Sequence, residues 1–193
     1  MARKREFDPD ELLDVAVQVF WKNGYAETSM RDIVEATGVA HAGIYNAFGS
    51  KNDLYFKCLQ RYYQRFRDIA FKQLEAEDSD ISNIQKFFAV IFREIEEGRF
   101  ATGCLIGNTV VEFDKDAEEV IGYSREFMNR LSGAFGVALK HAQDKRQVSQ
   151  DEDIKALAEY LTTFFYGLMT MVRAGMPMGM IRSSIDCALS RLA

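Results

Sequence analysis

The segment with the most specific chemistry is residues 28–48, where two short helical patterns flank a turn centred on Gly38. Ser29 with Asp32 three residues later has the spacing of a capping box, and Ile44 is an apolar anchor of the second pattern. Two short helices joined by a tight turn fit helix-turn-helix geometry, in which the second helix enters the major groove and presents side chains to base edges. The chemistry expected here is hydrogen bonding to DNA.

A second candidate for chemistry is Cys104, at the predicted start of a short helix. A helix N-terminus stabilises a thiolate, so we expect it to lower the pKa of this thiol and to favour oxidation to sulfenic acid or adduct formation. A free buried cysteine is also a common small apolar residue. Both interpretations stay open from the sequence, whereas Cys58 and Cys187 are interpreted as packing residues on helix faces.

Catalytic motifs are not found in the sequence. HExxH, P-loop, GxSxG and GxGxxG spacings are all missing, and the two histidines, His41 and His141, lie a hundred residues apart. The acidic runs are typical of solvated helix faces. We therefore expect no enzyme activity, no catalytic or metal-binding residues and no cofactor.

Composition limits the remaining classes. Lys and Arg number 24 against 29 Asp and Glu, so a net charge of −5 argues against a protein that coats nucleic acid or membrane. Residues 1–51 carry six basic and eight acidic residues, so attraction to DNA must be local, and the arm Arg3-Lys4-Arg5 either supplies it or is a loose terminal tail. Three widely spaced cysteines and no 18-residue apolar stretch favour a cytoplasmic protein.

The elements that position these residues read as helices, because apolar residues recur at helical spacing and only two prolines occur. We predict an all-α fold. The expected helices cover about 9–23, two turns after Ser29, 40–47, 50–77, 81–98, 104–113, 117–143, a segment capped by Ser149 that ends before Gly175, and 181–192.

The last two predicted helices carry more apolar surface than one core needs. Phe164 and Phe165 point about 100° apart, as do Leu168 and Met169. A homodimer formed through these two helices is the favoured explanation. A fully buried central helix is the alternative.

The segments TSMRDIVEATGV and IYNAFGSKNDLY, preceded by FWKNGYAETS, resemble the N-terminal domain of TetR-type transcriptional regulators. The resemblance covers about residues 7–58, and the remainder agrees only in helix count and order. Twelve residue types stand where the family pattern expects them: Phe20, Gly24, Tyr25, Thr28, Ile33, Gly38, Val39, Tyr45, Phe48, Ser50, Lys51 and Leu54.

The resemblance implies an N-terminal three-helix DNA-binding domain, here residues 1–50, and a helical domain for effector binding and dimerisation, here residues 51–193. It also implies a homodimeric repressor that a small molecule, or modification of Cys104, releases from a pseudo-palindromic operator. The sign of regulation comes from the resemblance only.

The resemblance also implies particular DNA contacts. Tyr45 and Lys51 match residues that usually contact the phosphate backbone, and such contacts position the protein without specifying sequence. Thr28 and Arg31, near the start of the second helix, are further backbone candidates.

The recognition helix supplies the candidates for base contacts, namely His41, Gly43 and Asn46, and Asn46 can bond adenine bidentately. Ala40 stands where Ser or Thr commonly caps this helix, Gly43 where a hydroxyl is common, and Ala47 where His is frequent. A missing cap costs about 1 kcal/mol. These departures keep open a third class, a helical carrier or adaptor with a vestigial DNA-binding domain.

Aromatic residues of the second half can line an apolar effector pocket, although at helical spacing they are also typical of a core. The effector-binding candidates are Phe92, Cys104, Tyr123, Phe127, Phe165 and Tyr166.

Overall fold

A computed structural model describes residues 7–114 and 117–192 of the chain. The described ranges contain helices and no strand, which confirms the all-α prediction. The helices are α1 (Pro9–Asn23), α2 (Met30–Thr37), α3 (His41–Phe48), α4 (Lys51–Ile69), α5 (Ile81–Glu96), α6 (Leu105–Glu112), α7 (Glu118–Asp144), α8 (Ile154–Arg173) and α9 (Met178–Ser190).

The first three helices share one apolar core. Phe20 of α1, Ile33 of α2 and Ile44 of α3 are fully buried, and Leu54 of α4 packs in the same cluster. Helices as short as α2 and α3 are not stable alone, because nucleation is costly and each buries little surface. Packing on α1 and α4 therefore holds them in place.

The core of the second half is a cluster of phenylalanine rings in mutual contact. Phe66 of α4 and Phe87 of α5 lie 6.2 Å apart between ring centroids, and Phe87 contacts Phe135 of α7 at 5.3 Å and Phe165 of α8 at 5.7 Å. Edge-to-face and tilted pairs of this kind are favourable beyond the area they bury. The longest helices, α7 and α8, pack extensively against each other, and α9 packs on α5 and α8.

Two predicted helix limits are wrong. The sequence predicted one helix over 50–77, but α4 ends at Ile69 and a 3-10 turn follows at Phe71–Gln73. The chain turns there because Phe71 and Leu74 enter the core. The sequence does not show the end of the helix, since these two residues keep the apolar spacing of a helix. Helix α8 is capped by Asp153, whose carboxylate accepts hydrogen bonds from two backbone N–H groups, and not by Ser149.

One of the two residue pairs on α8 differs from the prediction that one member faces the core and the other a second surface. Phe165 is fully buried and Phe164 is half-buried, which agrees with it, but Leu168 and Met169 are both buried.

Among the helices of the described ranges, none is both long and apolar enough to cross a bilayer.

Candidate nucleic-acid interface

Helices α2 and α3 form the predicted helix-turn-helix. Ser29 caps α2 and forms a capping box with Asp32, which confirms the predicted pairing. Gly38 ends α2 with φ 69° and ψ 2°, and its N–H bonds to the carbonyl of Val34. This left-handed conformation favours glycine. The turn therefore fixes how α3 leaves α2.

The exposed side of α3 carries His41, Tyr45 and Asn46. The His41 and Tyr45 rings stack with centroids 4.5 Å apart, and Tyr45 is 41% exposed. On the opposite side Ile44 is fully buried. Helix α3 thus presents polar and aromatic groups to solvent and is anchored by one apolar side chain. As the sequence indicated, Ala40 provides no side-chain cap for this helix.

Two residues that were predicted to contact DNA, Gly43 and Thr28, are less exposed than expected. Gly43 is half-buried, and a Cβ added there would lie 3.3 Å from Val39 and 3.4 Å from Phe7, so the prediction that it is exposed is wrong. Thr28 is also buried, and its hydroxyl donates a 2.6 Å hydrogen bond to the carbonyl of Gly24. This hydroxyl therefore stabilises the turn before α2 instead of facing a phosphate.

The candidate phosphate contacts Arg31 and Lys51 lie in the first turns of α2 and α4. Arg31 is exposed, whereas Lys51 is half-buried with its Nζ 4.1 Å from the centroid of the Tyr25 ring. Burial lowers the pKa of Lys51, and the nearby carboxylates of Asp32 and Glu112 oppose that shift. A cation–π contact is worth about 0.5–1 kcal/mol at exposed sites, so Lys51 has a structural role as well.

Part of the negative charge of the first 51 residues is matched from outside that segment. Arg61 of α4 donates two hydrogen bonds to Asp14 of α1, at 2.9 and 2.8 Å. These bonds hold the pKa of the Asp14 carboxyl below its ordinary value. The net charge of the segment therefore overstates its repulsion of DNA. The arm Arg3-Lys4-Arg5 lies outside the described residues.

Helix α6 joins the second half of the chain to the helix-turn-helix. The Glu112 carboxylate accepts a 2.6 Å hydrogen bond from the backbone N–H of Tyr25. Phe113 packs between Tyr25, at 4.5 Å between centroids, and Tyr55, at 5.4 Å. The hydroxyls of Tyr55 and Thr109 are hydrogen-bonded at 2.9 Å. Sequence reasoning missed these residues, because their partners are more than 50 positions away and leave no local pattern.

Cys104 caps the N-terminus of α6. Its sulfur accepts hydrogen bonds from the Tyr62 hydroxyl at 3.5 Å and from the Gly107 N–H at 3.4 Å. Burial raises the pKa of the Cys104 thiol although these hydrogen bonds oppose the shift. The prediction of a lowered pKa is therefore wrong, because Cys104 is 2% exposed and desolvation outweighs the helix end.

The other two cysteines differ in burial, whereas the sequence predicted that both pack on helix faces. Cys58 is fully buried, which fits its interpretation as a packing residue, and burial strongly raises the pKa of its thiol. Cys187 is exposed, so its interpretation as a packing residue is wrong for this chain in isolation.

The candidate effector residues lie in several places. Tyr123 and Phe127 line a cavity of about 90 Å³, too small for a drug-sized ligand. Phe165 is buried in the aromatic core next to Tyr166, with ring centroids 5.3 Å apart. Phe92 lies on α5 under the guanidinium of Arg182, at 4.0 Å. The structure therefore does not bring all six residues around one open pocket.

Tyr166 lies close to Cys104. A Cβ added at Gly107 would lie 3.1 Å from the Tyr166 ring and 3.5 Å from the Cβ of Cys104. In the described part of the chain the buried Tyr166 hydroxyl has no hydrogen-bond partner, which is unusual for a buried polar group. Tyr62, Cys104 and Tyr166 thus form one buried polar cluster.

An exposed apolar stripe runs along α8. Tyr160 is 40% exposed and Met171 is 43% exposed, and Phe164 and Gly167 lie between them at spacings of four, three and four residues. Residues at this spacing share one face of a helix. Three further methionines are exposed next to it, before and within the first turn of α9: Met176, Met178 and Met180.

Two protein-family models match the chain. Residues 12–58 match the model described as bacterial regulatory proteins, tetR family. Residues 81–184, more than half of the chain, match the model described as tetracyclin repressor-like, C-terminal domain.

Proteins of similar sequence are named as transcriptional regulators. The chain is 28% identical over 193 residues to the HTH-type transcriptional regulator YezE of Bacillus subtilis, with 100% of both chains covered. It is 28% identical over 174 residues to the HTH-type transcriptional repressor ComR of Escherichia coli, covering 90% of this chain and 83% of that one.

Solved structures share the fold. A cysteine-substituted form of the TetR family regulator CifR, complexed with 26-base-pair operator DNA, superposes with a TM-score of 0.84 at 22% identity and covers 99% of this chain and 100% of that one. A TetR regulator from Chloroflexus aurantiacus superposes with a TM-score of 0.83 at 20% identity, covering 94% and 91% of the two chains.

Proposed function

Because the chain belongs to the TetR family and is a transcriptional regulator, not an enzyme, we propose that it acts as a homodimeric repressor in the cytoplasm. We propose that it binds a pseudo-palindromic operator and leaves it when its second half is modified or binds a small molecule. In this proposal residues 1–50 are the DNA-binding domain and residues 51–193 bind the effector and the second subunit.

The observation that carries the DNA-binding proposal is the exposed side of α3. A helix with one fully buried side chain and a stacked His41–Tyr45 pair in solvent contributes little to the core. We assign base contacts to His41 and Asn46, and phosphate contacts to Tyr45, Arg31 and Lys51. Gly43 and Thr28 contribute through the shape of the backbone, since their side-chain positions are buried or half-buried.

The exposed stripe on α8 supports dimerisation through α8 and α9. A single recognition helix reads only a few base pairs, so two helices about 34–36 Å apart, or a multiple of that, are needed for an operator. Nothing lies within 4 Å of a Cβ added at Gly167. This leaves room for a partner helix to approach α8 closely.

The effector has two candidate routes. The first is a small molecule bound in the second half of the chain against some of the aromatic candidates Phe92, Tyr123, Phe127 and Phe165, which do not line one common cavity in the described structure. The second is modification of Cys104, which clusters with Tyr62 and with the Tyr166 hydroxyl, a group without a hydrogen-bond partner among the described residues. Cys104 caps the start of α6, and Glu112 at its end accepts a hydrogen bond from Tyr25. A change at Cys104 therefore has a direct structural path to the helix-turn-helix, although burial requires the site to open before the thiol reacts.

Gel-shift and footprinting experiments with DNA from around the protein's own gene test this function. We expect site-specific binding by reduced protein, and loss of binding after mild peroxide or a thiol alkylator. A Cys104→Ser variant should bind equally well and resist the treatment, and Cys58→Ser serves as the matched buried control.

Three results are informative. Binding that the treatment does not change would refute the cysteine route and leave a noncovalent effector. Loss of binding that persists in Cys104→Ser would assign the effect to another residue. Protein that binds no site specifically at any salt concentration would refute the DNA-binding proposal itself.

A further inference from the structure

A cavity of about 290 Å³ opens between α1, α4 and the chain segment that joins α5 to α6. Its walls are mostly aromatic and aliphatic, and its volume is near the lower end of the range for small-molecule pockets. None of the candidate effector residues is among its lining residues in the described structure, but its lining residues Tyr62 and Phe66 contact Cys104 and Phe165. The main apolar lining residues are Val17, Trp21, Tyr62, Phe66, Ile69 and Phe100.

The cavity is also lined by two acidic and two basic residues, Glu94, Glu97, Arg65 and Arg99. Glu94 is buried and its carboxylate is paired with Arg99 by two hydrogen bonds, at 2.5 and 2.7 Å. Arg99 also pairs with Glu97. Glu94, Glu97 and Arg99 thus pair with one another and together carry one net negative charge, so Arg99 is not free to bind an anion.

Arg65 is the exception among the charged lining residues. Its guanidinium lies 3.6 Å from Asp14, beyond ordinary hydrogen-bond distance, and Asp14 already accepts two hydrogen bonds from Arg61. The Arg65 side chain is 51% exposed. It can therefore turn to an anion without leaving a buried carboxylate unpaired, and a guanidinium pairs well with a carboxylate.

We propose that this cavity binds an aryl carboxylate, with the ring between the aromatic walls and the carboxylate on Arg65. The inference rests on the proposed repressor function, because it supplies an effector site for it. It places that site at the junction with α1, where Phe66 borders the phenylalanine core.

One wall of the cavity is also the contact of α1 with α4 and with the segment that leads into α6. Trp21 of α1 packs edge-on against Tyr62 and Phe100, at 5.0 and 5.4 Å between centroids. Its indole N–H donates a 3.1 Å hydrogen bond to the carbonyl of Gly103, immediately before Cys104. A ligand seated against Trp21 thus contacts the link between the two halves, and its binding is coupled to DNA binding to the extent that this link differs between the free and the DNA-bound protein.

Trp21 is the single tryptophan of the chain, so its fluorescence reports on this cavity directly. We would titrate the full-length protein with 4-phenylbutyrate, which does not absorb at the red edge of tryptophan excitation, and with the neutral 4-phenylbutanamide. We expect a saturable change in Trp21 fluorescence with the acid and about tenfold weaker binding of the amide.

The Arg65→Gln variant should weaken binding of the acid about tenfold and leave binding of the amide unchanged. Arg67→Gln is the matched control, because Arg67 lies on α4 and pairs with Glu75 away from the cavity. It should bind both compounds like the wild type. Circular dichroism checks that both variants retain their helices.

Three results would overturn the inference: no saturable change in fluorescence, equal affinity for acid and amide, or an Arg65→Gln variant that binds the acid normally. The fluorescence measurement needs no DNA, so its failure is separate from failure of the repressor function. A following gel shift at saturating 4-phenylbutyrate should lower operator affinity, and unchanged affinity in a protein that binds operator would refute the coupling.

Discussion

Replacing Ala40 by serine is expected to stabilise the recognition helix α3. Ala40 has φ −58° and ψ 143° and makes no side-chain cap, whereas Ser29 and Ser50 cap α2 and α4 with complete capping boxes. The backbone conformation at Ala40 is already extended, as a cap requires. A serine hydroxyl there can accept a hydrogen bond from one of the first N–H groups of α3.

The expected gain is about 1 kcal/mol, within a range of roughly 0.5–2 kcal/mol for such caps. About 1 kcal/mol changes an equilibrium constant roughly fivefold. Helix α3 has eight residues, of which Ile44 is the one that is buried, so local opening of this helix should be easy. DNA affinity can rise by at most the same factor, and only if the open form is well populated in the free protein.

Hydrogen exchange measured by mass spectrometry on free protein tests this directly. Peptides covering α3 should exchange about fivefold more slowly in Ala40→Ser. The reciprocal variant Ser50→Ala should speed exchange at the start of α4 by a similar factor. If Ser50→Ala has its effect but Ala40→Ser leaves α3 unchanged, the reasoning about the missing cap is wrong.

Further predictions concern the thiols, the pH dependence of stability and the dimer. In folded protein Ellman's reagent should label the exposed Cys187 quickly and the buried Cys104 slowly, since burial raises the pKa of the Cys104 thiol; equal rates would contradict its burial. The ion pair with Lys145 lowers the folded-state pKa of Asp80, so Asp80→Asn should lower the free energy of unfolding in urea by about 1 kcal/mol at pH 7. This difference from the wild type should shrink as the pH falls below about 4. A difference that grows in acid would refute the pairing. Met171→Asp should shift sedimentation from dimer towards monomer, and an unchanged dimer would remove α8 from the proposed interface.

Features set by neighbouring residues were predictable from the sequence. The capping box of Ser29, the turn at Gly38 and the start of α1 after Asp8 depend on residues within four positions of one another. For the same reason the helix-turn-helix could be located without a structure. The end of α4 could not, because Phe71 continues the apolar spacing of the helix but enters the core through a turn.

Features set by burial or by distant contacts were not predictable. The thiol of Cys104 has the expected helix end beside it, yet desolvation in the assembled core decides the direction of its pKa. The hydrogen bond between Glu112 and Tyr25 joins residues 87 positions apart. Thr28 has the residue type of a phosphate ligand, but its hydroxyl is used by a neighbouring carbonyl.

The most direct test of DNA recognition by α3 and the first turn of α4 is the salt dependence of operator binding in two variants, measured by fluorescence anisotropy. Lys51→Gln should weaken binding to all sequences and reduce the slope of log K against log salt concentration by about 1, as expected for a lost phosphate contact. Asn46→Ala should weaken binding to operator by about 1–3 kcal/mol and leave nonspecific binding and the slope unchanged. If both variants bind operator and unrelated DNA like the wild type, the exposed side of α3 and the first turn of α4 do not form the surface that binds DNA.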